Sequence, residues 1–314
     1  MTSDATSRDT VEIVEVGPRD GLQNEATLLP TQTKVELIRR AIAAGARRIE
    51  AASFVHPRLV PQMADGEAVM EALLADGFLP DGVPREAVTF IGLVLNPRGL
   101  ARAQAAGVDE VNVVVAASEG FARANQNAGV GELIEAATSM AADARAAGLA
   151  ASVVISTAFG CPFDGEVPVK AVLDVARQLI DAGFAEVAIA DTIGVGVPTQ
   201  VRELVAGIRE IDEKVRLRAH FHNTRNTGYA NAIAAVEAGV RVLDSSIGGI
   251  GGCPFAPNAT GNIATEDLVD LLHRTGHPTG LDLPAVAGTG TWIADQLGRQ
   301  APALLGRAGP FPPS

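Results

Sequence analysis

Val11-Glu12-Ile13-Val14-Glu15-Val16 is followed at once by Gly17-Pro18-Arg19-Asp20. The first six residues are mostly apolar and predict a buried strand, which Gly17-Pro18 ends because proline cannot donate to a strand ladder. Arg19 and Asp20 then place a cation and an anion where the strand ends. A carboxylate there can bind a metal ion and a guanidinium can stabilise an oxyanion, whereas the plainer interpretation is an ion pair that fixes a loop.

Seven more segments resemble this first strand, and helical segments separate them. Strands are predicted over residues 11–16, 48–53, 88–95, 110–116, 151–157, 185–190, 215–222 and 240–245. Helices are predicted over residues 31–44, 64–74, 98–106, 131–147, 169–182, 199–211, 228–238 and 265–275, with one more over 284–297. Eight alternations of short apolar strand and helix predict an α/β protein, a single (β/α)8 TIM barrel with an extra C-terminal helical segment. A doubly wound open sheet is the alternative.

The predicted domain organisation has one catalytic unit. Residues 11–302 form the TIM-barrel domain, residues 1–10 a disordered N-terminus and residues 303–314 a Pro-rich tail. No run of about 18 apolar residues predicts a membrane span. The N-terminus lacks the pattern of a signal peptide, so we expect a cytoplasmic protein.

The composition excludes several classes of partner. A net charge of −12 and an aromatic content of 4% argue against binding to nucleic acid or to an anionic membrane. The charge and composition do not exclude an anionic small molecule, which would need a local basic pocket. The two cysteines, Cys161 and Cys253, are too few for a disulfide framework, although one bridge stays open.

Polar residues recur where the predicted strands end, which is the end of such a barrel that carries active sites. They are Arg19 and Asp20 after the first strand, Glu50 and Ser53 on the second, Asp191 after the sixth, and His220 and His222 on the seventh. Six of these seven groups are ionisable and come from four strands, a collection that a packed core has no reason to make. The sequence therefore predicts an active site at this end.

His220-Phe221-His222 favours a metal site. Residues i and i+2 of a strand point to the same side, so both imidazoles face one way. Two such histidines can bind one divalent ion, with Asp20 as a third ligand. The alternative is a pair of ordinary core or surface histidines.

The segment Gly248-Gly249-Ile250-Gly251-Gly252-Cys253-Pro254 is typical of a mobile lid with a reactive thiol, or of a flexible connection with an inert cysteine. Asn262, nine residues beyond Cys253, offers an amide oxygen that could complete a metal shell. Cys161, in a Gly160-Cys161-Pro162 turn, is interpreted as structural because no base or metal ligand lies near it in sequence.

These motifs resemble those of the 3-hydroxy-3-methylglutaryl-CoA lyase family. The resemblance is carried by residues 14–25, 50–55, 158–162, 191–196, 245–254 and 259–268, and it runs over about residues 11–301. It implies cleavage of 3-hydroxy-3-methylglutaryl-CoA to acetyl-CoA and acetoacetate with Mg²⁺ or Mn²⁺. The implied partner is an acyl-CoA substrate, and the expected assembly is a homo-oligomer, a dimer.

The resemblance also implies a role for each site residue. The metal ligands are Asp20, His220, His222 and Asn262; Arg19 stabilises the enolate oxygen, Cys253 delivers the proton, and Glu50 and Asp191 orient the metal shell and assist proton transfer. The group that removes the hydroxyl proton stays open between Asp20, His220 and Glu50. Gln23, Ser53, Arg123 and Arg225 are assigned to substrate binding, with Arg123 near the CoA phosphates or, alternatively, a solvated surface residue.

Several positions depart from the family pattern. Val154 replaces a tyrosine, Ser152 an arginine and Ala188 a serine, and Asn223 stands where the family usually has an aspartate. The lost tyrosine and serine would bind the free carboxylate of the substrate, and Arg225 is the candidate for a compensating charge. We therefore predict that the chemistry is kept and the acyl group differs. The competing functions are a metal-dependent aldolase or Claisen-type synthase acting on a 2-oxo acid, a metal hydrolase and a non-catalytic scaffold.

Overall fold

The computed structural model describes residues 10–252, 261–309 and 311. Eight parallel strands form a closed barrel in which each strand pairs with the next and the eighth pairs with the first. The strands are β1 (Glu12–Glu15), β2 (Arg48–Ser53), β3 (Thr89–Val94), β4 (Glu110–Ala116), β5 (Ala150–Ser156), β6 (Glu186–Asp191), β7 (Arg216–Phe221) and β8 (Val242–Ser245). The predicted TIM barrel is confirmed.

Helices cover the outside of the barrel. They are α1 (Thr31–Ala43), α2 (Gly66–Leu73), α3 (Pro97–Ala105), α4 (Glu119–Gln126), α5 (Val130–Ala146), α6 (Val169–Asp181), α7 (Pro198–Ile211), α8 (Gly228–Glu237), α9 (Thr265–Arg274), α10 (Leu283–Leu297) and α11 (Leu305–Ala308). The extra C-terminal helix was predicted and is α10. The short helix α4 was missed because only Phe121 and Ala122 of its eight residues are buried, which leaves little apolar periodicity. None of the helices in the described ranges is long and apolar enough to cross a bilayer.

The two faces of the strands have different surroundings. Outward residues such as Ile13, Val111 and Leu217 belong to one large core shared with the helices. The barrel interior holds a small separate apolar cluster of Val14, Val16, Ile91 and Val242. The strands are buried on both faces, as predicted, and the charges visible inside the predicted strands lie partly in the barrel interior.

One group of these charges lies near the amino ends of the strands, and we call Arg48, Glu110 and Glu186 the lower cluster. Arg48 Nη2 lies 2.6 Å from Glu110 Oε1, and Arg48 Nη1 lies 2.8 Å from Glu186 Oε2. The Ser152 hydroxyl donates to Glu110 at 2.5 Å. All four side chains are buried, so each carboxylate depends on these partners.

Candidate active site

The chain turns sharply where β1 ends, and a buried glutamate holds the turn. Residues Gly17–Gly21 form one turn of π-helix with Pro18 in its first turn. Glu15 accepts hydrogen bonds from the Gly17 amide at 2.8 Å and the Ile247 amide at 2.9 Å. A π-turn of this kind often marks a functional site, and here it carries Arg19 and Asp20 at the carboxyl end of the barrel.

Arg19 is fixed by two carboxylates. Its Nε donates to Glu50 Oε2 at 2.8 Å, and its Nη1 donates to Asp20 Oδ1 at 2.6 Å. The other oxygen of Glu50 accepts from Asn112 Nδ2 at 3.0 Å. Both oxygens of Glu50 are therefore engaged, and its direct contacts are with Arg19 and Asn112. The guanidinium is therefore buried and held in one orientation by these two carboxylates.

Asp20, His220 and His222 meet at the mouth of the barrel, and the structure brings Asn262 to the same place. Ligand atoms of the first three residues lie within 4.8 Å of one another. Asn262 Nδ2 donates to Asp20 Oδ2 at 2.8 Å, and the backbone of Asn262 bridges to that of His222. We call these four residues the mouth cluster.

The mouth cluster fits a divalent cation. His222 Nδ1 and Asn262 Oδ1 are buried atoms that lack a hydrogen-bond partner within the described ranges. Unsatisfied polar atoms are rare in buried positions and call for a ligand or another explanation. Imidazole nitrogens, a carboxylate and an amide oxygen are donors that first-row divalent ions and Mg²⁺ accept.

The charges of the cluster suit a cation site as well. Although burial opposes it, Arg19, His220 and His222 hold the pKa of Asp20 well below its usual range, so this carboxylate stays ionised. Burial, reinforced by the charge on His220, lowers the pKa of His222 to about 4. The His222 imidazole is therefore neutral near pH 7, with a lone pair available.

Asp191 holds the loop after β6. Its two carboxylate oxygens accept from the amides of Val195 and Gly196, each at 2.9 Å. Burial raises the pKa of Asp191, which those two hydrogen bonds oppose. From the loop after β7, Arg225 Nη1 donates to the carbonyls of Ile193 and Gly194, each at 3.1 Å. Asp191 and Arg225 thus both order this loop.

The remaining predicted binding residues are spread along the same end of the barrel. Ser53 is fully buried on β2, and its hydroxyl lacks a partner among the described residues. Gln23 is half-buried just after the π-turn. The side chain of Arg123, on α4, is 71% exposed and lies 3.6 Å from Glu119. The structure does not bring Arg123 into contact with the mouth cluster.

The described residues include one of the two cysteines. Cys161 is buried, and its sulfur accepts from the amides of Phe163 and Asp164 at 3.3 Å, which agrees with a structural role. Cys253 lies outside the described residues. The chain that leads to it is held at Gly252, whose carbonyl accepts from Asn24 Nδ2 at 2.7 Å.

The departures from the family pattern cluster on neighbouring strands. Val154 on β5 is paired in register with Ala188 on β6, and Ala188 with Arg218 on β7. Ser152 lies lower, in the bond to Glu110. The positions of the missing tyrosine and serine therefore form one apolar patch on the inner wall.

Sequence reasoning missed Asp244 and Arg218. Both are buried charges inside predicted strands, the same signal that had pointed to Glu50. Asp244 Oδ2 lies 3.1 Å from His220 Nδ1, and Asp244 Oδ1 lies 2.7 Å from Arg218 Nε.

Comparison with known proteins gives consistent results. The HMGL-like family model matches residues 10–293. The (R)-citramalyl-CoA lyase of Chloroflexus aurantiacus is 48% identical over 97% of this chain and 96% of its own length. The hydroxymethylglutaryl-CoA lyase of Pseudomonas mevalonii is 44% identical over 92% of this chain and 93% of its own. A structure of an HMG-CoA lyase from Acinetobacter baumannii, in complex with coenzyme A and 3-methylmalate, matches with a TM-score of 0.90 and 35% identity over 100% of this chain and 99% of that one.

Proposed function

Since this chain belongs to the HMGL-like family of lyases, we propose that it is a divalent-metal-dependent carbon–carbon lyase. It releases acetyl-CoA from a 3-hydroxyacyl-CoA thioester, with (R)-citramalyl-CoA preferred over 3-hydroxy-3-methylglutaryl-CoA. The observation that carries the proposal is the aimed guanidinium of Arg19 beside the mouth cluster.

The reaction needs charge stabilisation at two places. The C3 hydroxyl loses its proton, the C2–C3 bond breaks, and the bonding electrons form the enolate of acetyl-CoA. The enolate then takes up one proton at C2, for which Cys253, outside the described residues, is the proposed donor. Arg19, fixed by Glu50, places its positive charge at the enolate oxygen, which becomes negative only as the bond breaks. Because Arg19 is held before substrate arrives, little reorganisation accompanies the reaction.

Asp20, His220, His222 and Asn262 would hold Mg²⁺ or Mn²⁺, which lowers the pKa of a bound hydroxyl group. Asp20, His220 and Glu50 stay the candidates for the acceptor of the hydroxyl proton, because the one lone pair of His220 Nε2 binds either the cation or that proton. Both Glu50 oxygens are engaged, and Asp20 is bonded to Arg19 and Asn262. His220 has Nδ1 on Asp244 and turns Nε2 toward Asp20, at 3.8 Å from Oδ2.

The inner wall of the barrel at Val154 and Ala188 supports a choice of acyl group. In 3-hydroxy-3-methylglutaryl-CoA the free carboxylate is one methylene away from the carbinol carbon, whereas in citramalyl-CoA it is attached to that carbon. Val154 and Ala188 offer no hydroxyl to a more distant carboxylate. The shorter substrate keeps its carboxylate beside its hydroxyl, and so it loses less from this apolar patch. The identity with a citramalyl-CoA lyase supports the same choice.

Purified protein with Mg²⁺ or Mn²⁺ tests the function directly. We expect acetyl-CoA and pyruvate from (R)-citramalyl-CoA, with kcat/KM at least about tenfold above that for 3-hydroxy-3-methylglutaryl-CoA, the discrimination expected for one methylene. Equal or better cleavage of the longer thioester would refute the substrate choice and leave the lyase in place. Release of acetyl-CoA from neither thioester would refute the lyase.

A matched pair of variants tests the inner wall. Ala188→Ser and Val154→Tyr each restore a hydroxyl of the family pattern and should raise relative turnover of the longer thioester. An unchanged ratio of the two kcat/KM values in both variants would contradict a role for this wall in selecting the acyl group.

Localisation and assembly stay predictions from the sequence. We propose a cytoplasmic homodimer, which cell fractionation and analytical ultracentrifugation test.

A further inference from the structure

We propose that Asp244 and Arg218 are positioning residues that fix the orientation and tautomer of His220, so that its Nε2 faces the mouth cluster. The inference deepens the proposed function, on whose cation site it rests. It assigns a role to two buried side chains that do not themselves belong to the mouth cluster.

The three side chains form a chain of contacts across two strands. His220 Nδ1 lies 3.1 Å from Asp244 Oδ2, and Asp244 Oδ1 lies 2.7 Å from Arg218 Nε. Arg218 Nη1 in turn lies 3.5 Å from Glu186 Oε1, in the lower cluster. Arg218 is 1% exposed and Asp244 is 3% exposed, so water competes little for these contacts.

The register of the barrel builds this arrangement. Residues 218 and 220 lie on the same face of β7, and Asp244 on β8 is paired directly with His220. The carboxylate of Asp244 therefore spans the two inward side chains of the neighbouring strand, one oxygen to each. Glutamate, whose side chain is one methylene longer, could not keep both contacts without moving.

The chemical consequence concerns which nitrogen of His220 carries the proton. A carboxylate on Nδ1 favours the tautomer with hydrogen on Nδ1 and leaves the lone pair on Nε2. The same contact holds the ring plane and raises the basicity of the free nitrogen, as carboxylates behind metal-binding histidines do elsewhere. Arg218 compensates the buried charge of Asp244, which would otherwise be costly.

Two readouts other than turnover test the proposal. The first is the tautomer of His220, measured on ¹⁵N-histidine protein at alkaline pH by two-bond ¹H–¹⁵N correlation. The wild-type protein should show hydrogen on Nδ1 of His220, and Asp244→Asn should lose that pattern. The second is Mn²⁺ affinity, measured by electron paramagnetic resonance without substrate. Asp244→Asn should weaken it by about 10- to 100-fold.

Ser152→Ala is the matched control, since it removes a buried hydrogen bond lower in the barrel that does not touch His220. It should leave the His220 pattern intact and the Mn²⁺ affinity within about twofold, whatever its effect on unfolding. If Asp244→Asn does not fold, Arg218→Lys takes its place. This variant keeps the charge but loses the planar fork, and it should weaken Mn²⁺ binding by about threefold or more.

Folded Asp244→Asn or Arg218→Lys protein with wild-type tautomer and Mn²⁺ affinity would overturn the proposal, even if citramalyl-CoA is cleaved as expected. If the variants show the expected changes in tautomer and Mn²⁺ affinity but the wild-type protein releases no acetyl-CoA, the result would count against the proposed function alone. Failure of the wild-type protein to bind Mn²⁺ would overturn both.

Discussion

The barrel holds two groups of buried charge, and they are completed differently. In the lower cluster, Arg48 donates to both oxygens of Glu110 and both oxygens of Glu186. In the mouth cluster, His222 and Asn262 keep buried polar atoms without a partner in the described part of the chain. The satisfied charges of the lower cluster hold the fold together, whereas the unpartnered nitrogen and oxygen of the mouth cluster leave room for a cation. The amino end of the barrel is therefore assigned to stability and the carboxyl end to chemistry, as in other barrels of this kind.

Of the changes considered, removal of the arginine of the lower cluster should have the largest effect, and this effect should be a loss of stability. Arg48→Met leaves Glu110 buried without its cation and Glu186 with only the longer contacts of Arg216 and Arg218, so we expect a loss of about 3–5 kcal/mol in the free energy of unfolding. Urea unfolding followed by circular dichroism measures it. Arg85→Met is the control, because the pair of Arg85 with Asp109 is more than one-third exposed and should contribute about 1 kcal/mol or less. Equal losses in the two variants would remove the distinction between the clusters.

The corresponding change at the mouth should act on turnover instead. Arg19→Lys keeps a positive charge but cannot keep its contacts with both Glu50 and Asp20 in the same geometry. We expect kcat for acetyl-CoA release to fall by about 10²- to 10³-fold, the usual cost of a lost oxyanion donor. Stability should change by less than in Arg48→Met. Arg102→Lys, which alters the surface pair with Glu67, should leave kcat unchanged. A wild-type kcat in Arg19→Lys would contradict the role of Arg19.

A smaller effect is expected from the pH dependence of Glu15, beneath the mouth. Burial raises the pKa of Glu15 from 4.5 to about 7, although hydrogen bonds from Ile247 and Thr265 oppose it. Between these values the folded protein binds a proton that the unfolded chain releases, so stability falls as pH rises, by about 1.4 kcal/mol per pH unit.

Glu15→Gln removes this titration. The unfolding free energy of the variant relative to wild type should therefore rise between pH 5 and pH 7, since all other groups are shared. Urea unfolding of both proteins at pH 5, 6 and 7 measures the difference. A difference that stays constant over this range would show that Glu15 is ionised throughout.

The barrel could be predicted because eight apolar strands alternate with amphipathic helices at regular intervals in the sequence. The sequence also predicted that Asp20, His220 and His222 lie together, since strand ends meet at one end of the barrel. It did not predict the contacts of Glu50 and Asp191. Their roles in orienting the metal shell stay predictions; in the structure Glu50 contacts Arg19 and Asn112, and Asp191 accepts from amides of its own loop.

The side-chain contacts between strands that are distant in the sequence could not be predicted from the sequence. Whether Arg48 meets Glu110 and Glu186, 62 and 138 residues away, depends on strand register and on side-chain direction. Asp244 shows the same limit: a lone charge in a strand is visible in the sequence, but its partner on β7 is fixed only when the barrel closes.

Removal of the cation tests the central claim most directly, because that claim makes the mouth cluster a cation-dependent lyase site. Protein stripped with a chelator should release no acetyl-CoA from (R)-citramalyl-CoA. Turnover should return in proportion to added Mn²⁺ and saturate at one ion per chain, and Asp20→Asn should not recover it. Full turnover by the stripped protein would contradict the account.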